Sequence, residues 1–88
     1  MEEQKRMTRL VVEAIHRMSS RPWVFVTGRL EGEALRIGDE LTVTHDGQAV
    51  GVVTVSSVEL HGAPGKTTVA VDAGSGELLQ EGSVLSLS

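Results

Sequence analysis

Cysteine and tyrosine are missing from this 88-residue chain, and tryptophan and phenylalanine occur once each. Without cysteine there is no disulfide framework, no thiolate metal site and no cysteine nucleophile, a composition that suits a reducing cytoplasm. With Trp23 and Phe25 the only large aromatics, the core has to be aliphatic. No apolar run approaches the roughly 20 residues of a membrane-spanning helix, and the opening Met-Glu-Glu-Gln-Lys-Arg lacks the apolar stretch of a signal peptide. These absences lead us to expect a cytoplasmic chain with no membrane partner. A basic excess is missing too: the net charge of -4 and pI near 5.2 argue against a dedicated nucleic-acid binder, whose footprint is a basic face.

What the chain does have is valine, in runs around Val50 to Val58 and Val69 to Val71, and valine fits a pleated surface better than a helix. Eighty-eight residues make one small domain that buries only about 60 to 65% of its unfolded surface. The charge is unevenly placed. Lys5, Arg6, Arg9, Arg17, Arg21, Arg29 and Arg36 leave the first 36 positions at +2, while the remainder, with Lys66 against seven carboxylates, stands at -6. Such a split is read either as scattered solvated charge or as a contact face for an anionic partner.

The clearest local signal runs from Leu41 to Val55. Leu41, Val43 and His45 alternate with Thr42 and Thr44, Asp46-Gly47 follows, and a second β-branched run begins at Ala49. Both central positions of a type I′ turn need positive φ, so Asp-Gly between two such runs predicts a tight hairpin. In the second arm Val50, Val52, Val53 and Val55 break the period of two, which implies a bulge or a strand buried on both faces. Further strands are predicted at Trp23 to Leu30, Thr67 to Asp72 and Ser83 to Leu87, with turns at Ser19 to Pro22, Glu31 to Glu33, His61 to Gly65 and Ala73 to Gly76. No internal repeat is apparent. Residues 10 to 18 are ambiguous. Leu10, Val11, Ala14, Ile15 and Met18 form a helical stripe, with Thr8 as an N-cap; as a strand, Leu10, Val12, Ala14 and Met18 share one face.

Several segments in fixed order resemble the second domain of translational GTPases, such as elongation factor Tu and initiation factor two. They are Val12-Glu13-Ala14-Ile15-His16, Val26-Thr27-Gly28-Arg29, Leu35-Arg36-Ile37-Gly38-Asp39-Glu40, Val55 to Leu60, Val69-Ala70-Val71 and Glu81-Gly82-Ser83-Val84-Leu85. The resemblance covers roughly residues 10 to 87. It implies an all-β fold, a small closed antiparallel β-barrel of about six strands over residues 9–88 behind a tail at 1–8, with the N-terminal segment as its first strand. It also implies a binding module whose partner is tRNA, rRNA or a ribonucleoprotein. The sequence departs from the family pattern where Ser20-Arg21-Pro22-Trp23 replaces a glycine-rich entry, where Gly32 replaces a glycine one position later, and where the loop from Glu59 to Lys66 is short.

Chemistry is harder to find. Gly65-Lys66-Thr67 ends like a phosphate-binding loop, but Leu60 stands where the motif needs its first glycine, so no nucleotide is expected there. His16, His45 and His61 lack ligand-like spacing, and no serine sits in a nucleophile elbow. We therefore expect no catalytic residue, metal or cofactor. One cluster suits binding. On a strand Trp23, Phe25, Thr27 and Arg29 share a face opposite Val24, Val26 and Leu30, and aromatics with arginines stack on bases or anchor a protein. Arg21, Trp23, Phe25, Arg29 and Arg36 are the candidate binding residues. RNA or a ribonucleoprotein is the first partner class, and a protein partner or a second copy of the chain is the alternative.

Overall fold

A computed structural model describes residues 7–17, 23–59, 65–72 and 79–87. It contains six strands: β1 (Thr8–Arg17), β2 (Trp23–Gly32), β3 (Glu40–His45), β4 (Gln48–Glu59), β5 (Thr67–Asp72) and β6 (Val84–Leu87). All neighbours are antiparallel, and the order β1-β2-β5-β4-β3-β6 closes on itself through the β1–β6 ladder. A closed ring leaves no sheet edge unpaired. Among the described residues there is no helix, and hence none long and apolar enough to cross a membrane. The expected turns at 19–22 and 73–76, and most of that at 61–65, lie outside the described residues. β2 continues through the expected turn at Glu31 and ends at Gly32, paired with Thr8.

The helix-like pattern of residues 10 to 15 comes from a bulge. Val12 pairs with Gly28 and Ala14 with Thr27, so Glu13 is an extra residue between them. Leu10 and Val12 are buried ahead of it and Ile15 packs on the core behind it, while Ala14 is turned out to solvent. The strand reading that put Ala14 with Leu10 and Val12 is corrected accordingly, because an extra residue exchanges the two faces from that point on. β4 bulges at Ser56, which brings Val58 onto the core beside Val53 and Val55, and at Val50. That strand is not buried on both faces: Val50 and Val52 are exposed.

The hairpin forms as its sequence predicts. Asp46 (φ 53°) and Gly47 (φ 82°) are both left-handed, and His45 faces Gln48 across the turn. The core is aliphatic, with Leu10, Leu41 and Leu85 among its largest fully buried side chains, joined by Leu35 and Leu79 from the loops.

The barrel also has an internal two-fold relation that the sequence did not reveal. Exchanging β1 with β4, β2 with β5 and β3 with β6 leaves the ring order unchanged. Two β-turns show the relation in detail. Asp39 N–H donates to Arg36 O (3.1 Å) and Ser83 N–H to Gln80 O (2.9 Å); Gly38 N–H donates to Val55 O (2.8 Å) and Gly82 N–H to Val12 O (2.9 Å). Val55 N–H returns to Asp39 O, and Val12 N–H to Ser83 O, each at 2.9 Å. Even the side chains correspond, since Arg36 N–H donates to Asp39 Oδ2 (2.8 Å) where Gln80 N–H donates to Ser83 Oγ (3.1 Å). Gly38 (φ 95°) and Gly82 (φ 93°) occupy the third turn position, where a type II turn needs positive φ. Val12 and Val55, each ahead of its bulge, are likewise equivalent. Asp39 therefore belongs to a turn, and β3 starts at Glu40.

Candidate binding face

β2 alternates as its sequence predicts. Val24 and Val26 enter the core, Gly28 is buried, and Trp23, Phe25, Thr27, Arg29 and Glu31 line the outside. Trp23 and Phe25 are half-buried rather than fully exposed. Register supplies their neighbours: Asp72 lies across from Trp23, while Phe25 sits between His16 of β1 and Ala70 of β5. Thr27 and Thr68 stand next in line, with their hydroxyl oxygens 2.7 Å apart.

Farther down the same face three charged side chains meet. Arg9 Nε donates to Glu31 Oε1 at 3.1 Å, and Arg29 NH2 donates to Glu31 Oε2 at 3.2 Å. Two guanidiniums share one carboxylate, so the group is net positive but partly neutralised. The Arg29 hydrogen bond, and after it the charge of Arg9, holds the Glu31 carboxyl below its ordinary value of 4.5. A depressed carboxylate pKa stabilises the fold at pH above the unfolded value and loses that effect as pH falls through the folded one. Glu31→Gln should therefore flatten the acid side of the stability profile below about pH 4.5. The change will be small and salt-sensitive because the group is exposed; denaturation midpoints across pH 2.5 to 6 in low salt measure it.

Not every candidate residue belongs to this face. Trp23, Phe25 and Arg29 come together on one line of β2. Arg36 does not, because its turn is bonded to β4 and β5 separates β4 from β2. Arg21 lies outside the described residues. His16, Arg9 and Thr68 join the face through cross-strand pairing, a relation that local patterns do not carry, while Glu31 continues the outward series of β2 itself.

A second polar cluster lies between β3 and β6. Ser83 Oγ is 3.4 Å from His45 Nδ1, and His45 Nε2 is 3.6 Å from Asp46 Oδ2. The residue types are those of a hydrolase triad, but the geometry is that of a turn lock. Ser83 is fully buried and its oxygen accepts the Gln80 N–H, so no substrate carbonyl can reach it, and the spacing exceeds the 2.6 to 3.2 Å of an activated nucleophile. Lys66, next to β5, pairs with Glu13 in the β1 bulge. The segment after Gly65-Lys66 is a strand, without the helix N-terminus that a phosphate loop uses. Among the described residues no three His, Asp or Glu side chains gather as a metal site.

Comparison with protein-family models and with curated proteins finds no match to this chain.

Proposed function

We propose that the chain is a non-enzymatic binding module of the translation-factor second-domain type, and that it takes single-stranded RNA, alone or within a ribonucleoprotein, on the outer face of β1, β2 and β5. The observation that carries this reading is the outward placement of both aromatics on a barrel whose core is aliphatic. The internal two-fold supplies a control. Thr68 on β5 holds the position that corresponds to Phe25 on β2, and Lys66, just ahead of β5, the one that corresponds to Trp23, so the architecture itself does not require aromatic side chains there. Two aromatics about 7 Å apart along a strand, with exposed arginines farther on, combine the stacking platform and cationic track that single strands use.

A second reading, a protein partner on the same face, is favoured by one observation: Glu31 already engages both Arg9 and Arg29. Fluorescence anisotropy with labelled tRNA and with single-stranded rRNA fragments at low and high salt separates the two. For RNA, Trp23→Ala should weaken binding by about 1 to 3 kcal/mol, and Arg29→Ala should reduce the salt slope by about one. Binding that is insensitive to salt and to Trp23→Ala would exclude the RNA reading.

A further inference from the structure

Three large apolar side chains are exposed on β4 and the turn attached to it: Ile37 at 70%, Val52 at 49% and Val50 at 44%. The 36–39 turn is clamped to β4 at Val55 by two backbone hydrogen bonds, which brings Ile37 to the Thr54 end of the exposed series Thr54, Val52, Val50. Four hydrogen bonds, counting the two within the turn, hold its backbone in place, so presenting Ile37 costs little backbone ordering on binding.

The two-fold relation again tells architecture from choice. The corresponding series, from the 80–83 turn along β1 to the residue before it, runs Glu81, Val11, Arg9 and Met7, and Met7, in place of Val50, is also exposed, at 71%. A carboxylate stands in place of Ile37 and a guanidinium in place of Val52. The same backbone therefore accepts charge at both positions, and the fold does not explain exposed isoleucine and valine there.

The surroundings point to the occupant. Exposed Glu40 faces Thr54 across the β3–β4 ladder, and Asp46, 90% exposed, stands at the hairpin tip beyond Val50; Arg36 is the cation beside Ile37. A specific protein–protein interface of standard size takes about 800 Å² and 20 to 30 residues from each partner, whereas three exposed large apolar side chains are gathered here. Two copies docked through it would also bring their carboxylates together. We infer that the β4 line and the 36–39 turn form a docking strip for a short, basic, apolar-faced segment of a protein partner. The strip is separate from the aromatic face, since β5 lies between β2 and β4, and it does not depend on the RNA reading.

The test uses the full ¹⁵N-labelled chain and three synthetic peptides: one alternating leucine and lysine, one alternating leucine and glutamate, and an oligolysine. The leucine–lysine peptide should shift the amides of Ile37, Gly38 and Val50 to Thr54 while leaving Phe25 and Thr27 in place. Ile37→Glu and Val52→Lys should each weaken it about ten-fold without changing RNA binding or spectral dispersion. Ile37→Glu reproduces the residue type of the equivalent Glu81, so it is expected to fold. Equal response to either control peptide, shifts mapped elsewhere, or undiminished binding by both variants would overturn the inference. The same amides moving with protein concentration alone would overturn it in favour of a second copy.

Discussion

Gly28→Ala should destabilise the barrel by on the order of 3 kcal/mol or more, a large part of the roughly 5 to 15 kcal/mol that holds a domain together. A β-carbon at this position would lie 2.0 Å from the Val11 carbonyl oxygen and 2.8 Å from its carbon. Both obstacles are backbone, so no rotamer change relieves the clash, and Val12, the direct partner of Gly28, opens the Glu13 bulge. The accommodation would have to come from the β1–β2 ladder. It would cost pairing around the bulge, and with it the inward placement of Ile15. The equivalent position in the second half is Val71, opposite Val55, so the two halves differ in how closely their strands approach here. Urea denaturation followed by far-UV circular dichroism measures the loss. A change under about 1 kcal/mol would mean that β1 and β2 do not approach as described.

Leu41→Ala and Leu85→Ala test the two-fold relation itself. Each leucine is fully buried and sits two residues beyond the last residue of its type II turn. They pair with Val53 and Leu10, which are themselves equivalent. Removing a buried leucine side chain costs about 2 to 5 kcal/mol, depending on how far the site collapses. Because the two surroundings correspond, the losses should agree to within about 1 kcal/mol, inside the spread seen at unrelated sites. Equilibrium unfolding of both variants in one denaturant gives the comparison. A loss near zero at one site and several kcal/mol at the other would show that the halves are not packed alike.

How much of this could be read from sequence depended on whether the signal was local. Asp46-Gly47 is a turn by its own backbone requirements, and alternation alone put Trp23, Phe25 and Arg29 on one face with Val24 and Val26 on the other. β1 resisted that reading because its bulge falls inside the apolar pattern, so that Leu10, Val12 and Ile15 face inward at a spacing that imitates a helix. The two-fold was hidden for a related reason. Alternating valines align with any strand, and beyond them the repeat shows in residue identity only in one short stretch, as Gly32, Glu33, Leu35, Gly38 and Leu41 against Gly76, Glu77, Leu79, Gly82 and Leu85. The candidate face was half legible. Arg36 follows Arg29 closely in the chain and yet belongs to the β4 side. Arg9, His16 and Thr68 are distant in sequence and belong to the β2 side, because register and not proximity along the chain brings them there. Ser83 and His45 met by the same route.

The central claim is that RNA binds through the outward aromatics of β2. Amide spectra of the ¹⁵N-labelled chain, recorded alone and with tRNA and single-stranded rRNA at low and high salt, test it most directly. The account predicts shifts centred on Trp23, Phe25, Thr27 and Arg29 that shrink steeply as salt rises, since bound counterions are released on phosphate contact. Spectra unchanged by either RNA at low salt, or shifts confined to residues away from β2, would contradict it.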